Sequence, residues 1–295
     1  MNKIILIVFS ISIIFAEIGQ VVHSIPAPGH YSNGLAWDGS SLWVANIADA
    51  SHSDDYWYRI FQISPEDGEI LTSFSTNPYF YHGLTFDENY LWGEHNYTSI
   101  EKLDNLGESL QEFSAVPLAV GLAFDQYNNI LFQSTTQPGA IYKFDADTGE
   151  IIGELYPDEP YEHGWGDLAF DGTYLWHINV ASDMIYKIDQ YTGAILDQFP
   201  APSNQCEGLT FDGLYLWVSD TNLDILYQIE IEFNFILGDI NEDGILNILD
   251  IVLMVNMILS NEYSVVADVN EDGFINILDV VLMVNILVGG LPQSN

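Results

Sequence analysis

The strongest constraint on this chain is a phrase written five times. "GLAWDGSSLWVAN" starts at residue 34, "GLTFDENYLWGEHN" at 83, "GLAFDQYNNILFQS" at 121, "DLAFDGTYLWHINV" at 167 and "GLTFDGLYLWVSD" at 208. Each of the first four is followed by a second phrase of the type "GAIYKFDADTGEIIGEL", with a turn glycine at Gly68, Gly107, Gly149 and Gly193; Gly19 opens a matching stretch near the N-terminus. These glycines lie 39 to 49 residues apart, and each unit holds four short runs with period-two alternation. A unit of that length and content is a propeller blade, because one small sheet cannot bury both faces without a neighbour on each side. The repeat therefore predicts a mostly β chain with a five-bladed β-propeller over residues 17–235.

Details of the repeat assign parts. Asp38-Gly39, Asp171-Gly172 and Asp212-Gly213 read as hairpin turns of the kind in which both central residues take positive φ. The aromatic of the "LW" position (Trp43, Trp92, Phe132, Trp176, Trp217) recurs once per blade and is expected between sheets as packing. The aspartates Asp38, Asp87, Asp125, Asp171 and Asp212 fall in hairpin turns and read as structural. The last unit lacks an outer strand. "GQVVHSIPAP" at 19–28 matches "GAILDQFPAP" at 193–202, so an N-terminal strand is expected to complete the last blade and remove two open edges. The pattern resembles extracellular propellers built on G-L-x-[FW]-D-G-x-x-L-W repeats, a likeness that speaks to fold rather than chemistry.

Charge excludes several functions. Five Lys+Arg stand against 43 Asp+Glu, a net charge of −38. Such a surface repels phosphate backbones and anionic membranes, so nucleic acid is not a partner. It suits a solvated surface in salty water, with a few carboxylates acting as cation ligands. "MNKIILIVFSISIIFAEIGQ" has a basic residue and a 13-residue apolar run ending at Ala16. It reads as a secretory signal over 1–16 rather than a membrane span. Cleavage after Ala16 or Ser24 is tolerable, and Ala16 keeps the closing strand; an uncleaved N-terminal anchor is the alternative. Cys206 is the only cysteine, so no internal disulfide forms.

After residue 235 the text changes. Two runs of the form D-x-N-x-D-G-x-x-N-x-x-D begin at Asp239 and Asp268, each followed by an apolar helical stretch. Calcium takes six to eight oxygens, and a twelve-residue loop offers them at fixed positions with glycine at the sharp turn. The first loop offers Asp239, Asn241, Asp243, the Ile245 carbonyl, Asn247 and Asp250. The second offers Asp268, Asn270, Asp272, the Phe274 carbonyl, Asn276 and Asp279. Two Ca2+ ions are expected. Position 12 is Asp rather than Glu, and no helix precedes the first loop. The pattern resembles the dockerin module, placed here at 236–290 with a short tail at 291–295. That resemblance implies a cohesin partner and a docking face of Ile248, Leu249, Val255 and Asn256 with Ile277, Leu278, Val284 and Asn285. The Ser-Thr and Lys-Arg pairs familiar at those positions are missing, so the cohesin class is not implied.

The loops around a propeller axis are where ligands bind. Residues before each "GL" (Asn33, His82, Val120, Gly166, Glu207) and after each "LW" strand (Asn46, His95, Thr135, Asn179, Asp220) are expected to converge there, with His163 and Asp167 near the same end. Asn33, His82, His95, Glu207 and Asp220 are the candidate ligand-binding set. His82, His95, Glu207 and Asp220 have the chemistry of a metal or hydrolytic centre, against a bland role as strand-end caps. Cys206 has no recognisable histidine partner for a nucleophilic role. Aromatics at Tyr31, Tyr56, Trp57, Tyr58, Tyr79, Phe80, Tyr81, Tyr161 and Trp165, and the insert "IADASHSDDYWY", suit a glycan or protein ligand. Two readings follow. The first is a secreted, calcium-dependent binding or scaffold protein hooked by its tail to a cohesin-bearing surface complex. The second is an extracellular hydrolase or lyase of polysaccharide catabolism, with Glu207 and Asp220 as the axial carboxylate pair.

Overall fold

The computed structural model describes residues 18–46, 58–76, 81–137, 139–158, 166–231, 237–241, 246–260, 264, 266–270 and 274–289. Residues 1–17, which hold the segment expected to be a signal, residues 47–57 of the blade-one insert, and Tyr79, Phe80, Tyr161, His163 and Trp165 lie outside the described residues. So do the ligand candidates Asp243, Ile245 and Asp272. Chain contacts divide the molecule into two units, 1–231 and 232–295.

The first unit is a ring of five four-stranded antiparallel sheets. The innermost strands are Ser32–Trp37, Tyr81–Phe86, Ala119–Asp125, Leu168–Phe170 and Cys206–Phe211. Four sheets are runs of consecutive strands; the fifth is closed by the first strand of the chain. Val21–Pro26 pairs antiparallel with Ile225–Ile229, setting Ser24 opposite Tyr227 and Ile25 opposite Leu226. Ile25 is buried with Leu35, Leu42, Val44, Phe61, Ile63, Trp217 and Leu226, so the closing strand contributes core as well as backbone pairing.

One side-chain latch recurs around the ring. The indole Nε1 of Trp43, Trp92, Trp176 and Trp217 donates at 2.8 Å to Asp38, Asp87, Asp171 and Asp212. The same carboxylates accept turn amides two and three residues on, as Asp212 does from Leu214 and Tyr215. Blade three has Phe132 in place of Trp, and there Asn128 Nδ2 donates to Asp125 instead, at 2.7 Å. The hairpins differ from the two-residue type expected. With Trp37 opposite Leu42, the connection runs over residues 38–41. Only its glycine (Gly39, φ 95°) has positive φ, because the Asp carboxylate organises the turn by capping its amides.

The few cations complete this latch. Lys102, Lys143 and Lys187 lie over the rings of Trp92, Phe132 and Trp176 at 5.1, 5.6 and 5.2 Å. Lys102 also pairs with Asp87 at 2.7 Å. Blades one and five use Gln62 and Gln228, each donating to its latch aspartate at 2.9 Å. Most of the chain's basic residues are thus taken up inside the blades, which leaves the acidic surface without compensation.

The second unit holds two helices, α1 (Ile248–Ser260) and α2 (Ile277–Gly289). Ile251, Met254, Ala267, Val269 and Met283 form its buried centre. Among the described residues no helix is long and apolar enough to cross a membrane.

Candidate functional site

The innermost strands approach so closely that the "GL" glycine is a steric necessity. A Cβ on Gly208 would fall 1.7 Å from the Asn33 carbonyl oxygen. Blade four breaks the rule with Asp167. Its carboxylate reaches the axis and accepts the amides of Leu35, Leu122, Leu168 and Leu209 at 3.3, 3.0, 2.9 and 3.2 Å. One side chain thereby collects backbone donors from four blades. Burial pushes its pKa well above the usual carboxylate range, and these four amides offset only part of the shift.

Beside this plug lies a cluster of acidic and aromatic side chains, called the axial chamber below. Asn33 Nδ2 donates to Glu207 Oε2 at 2.7 Å. The His82 ring stacks against Tyr97 with centroids 4.5 Å apart. Burial holds His82 neutral, with a pKa lowered to about 4. Burial also raises Glu207 to about 7, a hydrogen bond from Thr221 working the other way. Glu94 is fully buried. Burial pushes it up to about 9, the Tyr97 amide offsets part of this, and the neighbouring Asp167 carboxylate adds to it. Neither Glu94 oxygen, nor Asn33 Oδ1, makes a well-formed hydrogen bond among the described residues. Tyr97 feels the charge of both Glu94 and Glu207. The chamber therefore offers acceptors, a proton donor at neutral pH and an aromatic platform.

The structure brings Asn33, His82 and Glu207 together and sends the other two candidates elsewhere. Asp220 accepts the Ser203 hydroxyl at 2.5 Å and caps the amides of Asn222 and Leu223. It is occupied as a turn cap, because a carboxylate at a strand end finds amides before it finds a ligand. His95 turns toward Glu101 and Glu112, at 3.7 and 3.8 Å. Cys206 is buried, and that burial pushes its thiol up to about 11, unsuited to a nucleophile. Two chamber residues escape sequence reasoning. Glu94 and Tyr97 sit in "LWGEHNYT", where Glu94 replaces the Ala45, Ser134, Ile178 and Ser219 of the other blades. That charge at an otherwise small or apolar position was the available signal.

In the C-terminal unit each position-12 aspartate organises its loop. Asp250 accepts the amides of Ile240, Asn241 and Asn247 at 2.9, 3.3 and 2.9 Å. Asp279 accepts those of Asn270 and Asn276 at 3.2 and 2.8 Å. Asp239, Asp250, Asp268 and Asp279 are buried. Carboxylates gathered without lysine or arginine fit a hard divalent cation held by oxygen. The proposed docking residues are all exposed, Ile248, Leu249, Ile277 and Leu278 most of all.

The molecule is thus of a recognisable class, a closed propeller that carries a small loop-helix docking module. Residues 237–288 match the family model of the dockerin type I domain; this domain follows the five-bladed propeller at the C-terminus. Dockerins generally bind calcium, dock onto cohesins and occur on extracellular proteins. A search of curated protein sequences finds no match. Among solved structures, glutaminyl cyclase from Myxococcus xanthus is similar over 72% of this chain and 95% of that one, at 13% identity and TM-score 0.59. Virginiamycin B lyase from Staphylococcus aureus is similar over 70% and 69%, at 19% identity and TM-score 0.44. At 13% identity the likeness to the cyclase is one of fold.

Proposed function

We propose that this is a secreted binding protein that calcium-loaded dockerin loops attach to a cohesin-bearing surface complex, and whose propeller presents the axial chamber to a glycan or protein ligand. Two calcium ions occupy the two loops, and the exposed apolar faces of α1 and α2 form the docking surface. The observation that carries the propeller half is the half-buried Glu207, held by Asn33 Nδ2 at 2.7 Å, beside the Tyr97–His82 stack. A carboxylate beside an aromatic face suits a ligand rich in hydroxyl donors with a flat apolar face, such as a sugar.

A hydrolase or lyase is the second reading, supported by the chamber carboxylates. Burial raises Glu207 to about 7, so it holds a proton where an ordinary carboxylate does not, as a general acid must. The test is affinity electrophoresis of the full chain through neutral polysaccharides, with reducing-end release assayed in parallel. Retardation without release, lost in Tyr97→Ala, supports the binding reading. Release abolished by Glu207→Gln supports catalysis. A chain that neither binds nor cleaves any glycan, and captures no protein ligand, overturns the chamber as a site. Calcium-dependent binding to cohesins checks the docking half separately.

A further inference from the structure

Blade two departs from the other four in a coordinated way. Its third-strand position 101 holds Glu where the other blades hold Phe61, Tyr142, Tyr186 and Tyr227. The missing aromatic is supplied from the inner strand by Tyr81. Gly93 makes this possible, since a Cβ there would lie 2.3 Å from the Tyr81 ring. The Tyr81 hydroxyl donates to Glu101 Oε2 at 2.5 Å. Packing alone would have been served by an aromatic at 101, as it is elsewhere. The exchange instead puts a buried carboxylate directly across from Glu112 on the outer strand.

Two carboxylates opposite each other on neighbouring strands repel. No lysine or arginine lies within ion-pair distance of either among the described residues; Lys102 is committed to Asp87, and Arg59 donates to Ser73. What faces them is His95, with Nε2 at 3.7 Å from Glu101 Oε2 and 3.8 Å from Glu112 Oε1. The three ligand atoms all lie within 4.8 Å of one another. Ligand atoms about 2.0–2.1 Å from a tetrahedral zinc stand about 3.3 Å apart, so small side-chain rotations close the set. His95 Nδ1 lies 3.2 Å from Asn96 Nδ2, and a flip of that amide exchanges its nitrogen for its oxygen. With the amide oxygen turned to the ring, Nδ1 keeps its proton and Nε2 offers its lone pair.

We propose that His95, Glu101 and Glu112 form a divalent transition-metal site of the zinc type within blade two, with Tyr81 as the positioning residue of Glu101. It is separate from the axial chamber and from the oxygen-only calcium loops. One imidazole and two carboxylates neutralise the ion's charge, and the exposed side of Glu112 leaves a coordination position open to solvent or ligand. Tyr81 plays the outer-sphere part that orients a ligating carboxylate.

The test uses the full chain, folded and saturated with calcium so that the C-terminal loops are filled. The chain is then equilibrated with Zn2+, dialysed, and its metal measured by elemental mass spectrometry, with Co2+ absorption in the visible as a second readout. About one zinc per chain is expected, with affinity falling more than about tenfold in Glu112→Gln and His95→Asn and about tenfold in Tyr81→Phe. Asp197→Asn, on the exposed outer strand of another blade, should leave it unchanged. Glu112 is half-exposed, so its variant keeps the fold and decides the matter even if His95→Asn does not fold. No retained zinc, or zinc retained equally by wild type and Glu112→Gln, overturns the proposal and leaves His95 as the carboxylates' ion-pair partner only.

Discussion

The Leu35 amide donates to the Asp167 carboxylate across 132 residues of sequence, at 3.3 Å. Leu122 and Leu209 do the same from two further blades. Asp167 is thereby a keystone, and Asp167→Ala should strand these amides in a buried site. Each unsatisfied buried donor costs on the order of 1–3 kcal/mol. We expect a urea midpoint lowered far more than for removal of any surface aspartate such as Asp197. Equal midpoints would show that water replaces the carboxylate at no cost.

Glu94 makes propeller stability fall with rising pH. Its pKa is raised from 4.5 to about 9 in the folded state, so above pH 4.5 the folded protein keeps a proton that the unfolded chain releases. The contribution is fully present below 4.5 and is lost as pH rises toward 9. Glu94→Gln, always neutral, removes this dependence. Urea midpoints of wild type and variant should agree near pH 4 and diverge steadily toward pH 8.5, with the variant the more stable. Parallel curves would mean that Glu94 is solvated.

The Trp217–Asp212 latch predicts a sizeable loss from one exposed-loop substitution. Asp212 receives the indole at 2.8 Å, two turn amides and Gln228. Hydrogen bonds to a charged group contribute about 1.5–3 kcal/mol. Asp212→Ala should therefore destabilise the last blade by about 2–3 kcal/mol, measured by chemical denaturation. Because this blade also carries the closing strand, protection of the Ile25 and Leu226 amides from hydrogen exchange should fall first.

Calcium removal should melt one unit and spare the other. The C-terminal unit has a small core and buried loop carboxylates, whereas the propeller core contains no such loops. Ligation stabilises by about 2.7 kcal/mol at a hundredfold excess over Kd, a large share of what so small a unit has. Adding chelator should abolish the helical part of the circular-dichroism spectrum and leave the β part intact. A spectrum insensitive to chelator would separate the fold of α1 and α2 from metal.

The ring, its closure by the N-terminal strand and the dockerin type I domain were all legible in the sequence. Repetition is a one-dimensional record of a packing solution used five times, and the acidic D-x-N-x-D-G-x-x-N-x-x-D runs are local, each contained in twelve residues. The aspartates of the latch were legible as structural for the same reason, being five residues from the indole they hold. The axial chamber was only half legible. Residues before "GL" could be aligned, but the repeat does not say that Asp220 is taken by Ser203, or that His95 faces outward along its own blade toward Glu101 and Glu112. Those choices depend on which donors and charges come near in space. Asp167 meets three of its four amide donors from 42 to 132 residues away in the chain, and Glu94 gains its raised pKa from burial that exists only once the blades have closed. The architecture and the dockerin domain follow from short-range pattern in the sequence; the electrostatics of the axis and of blade two arise from neighbours that only the closed ring brings together.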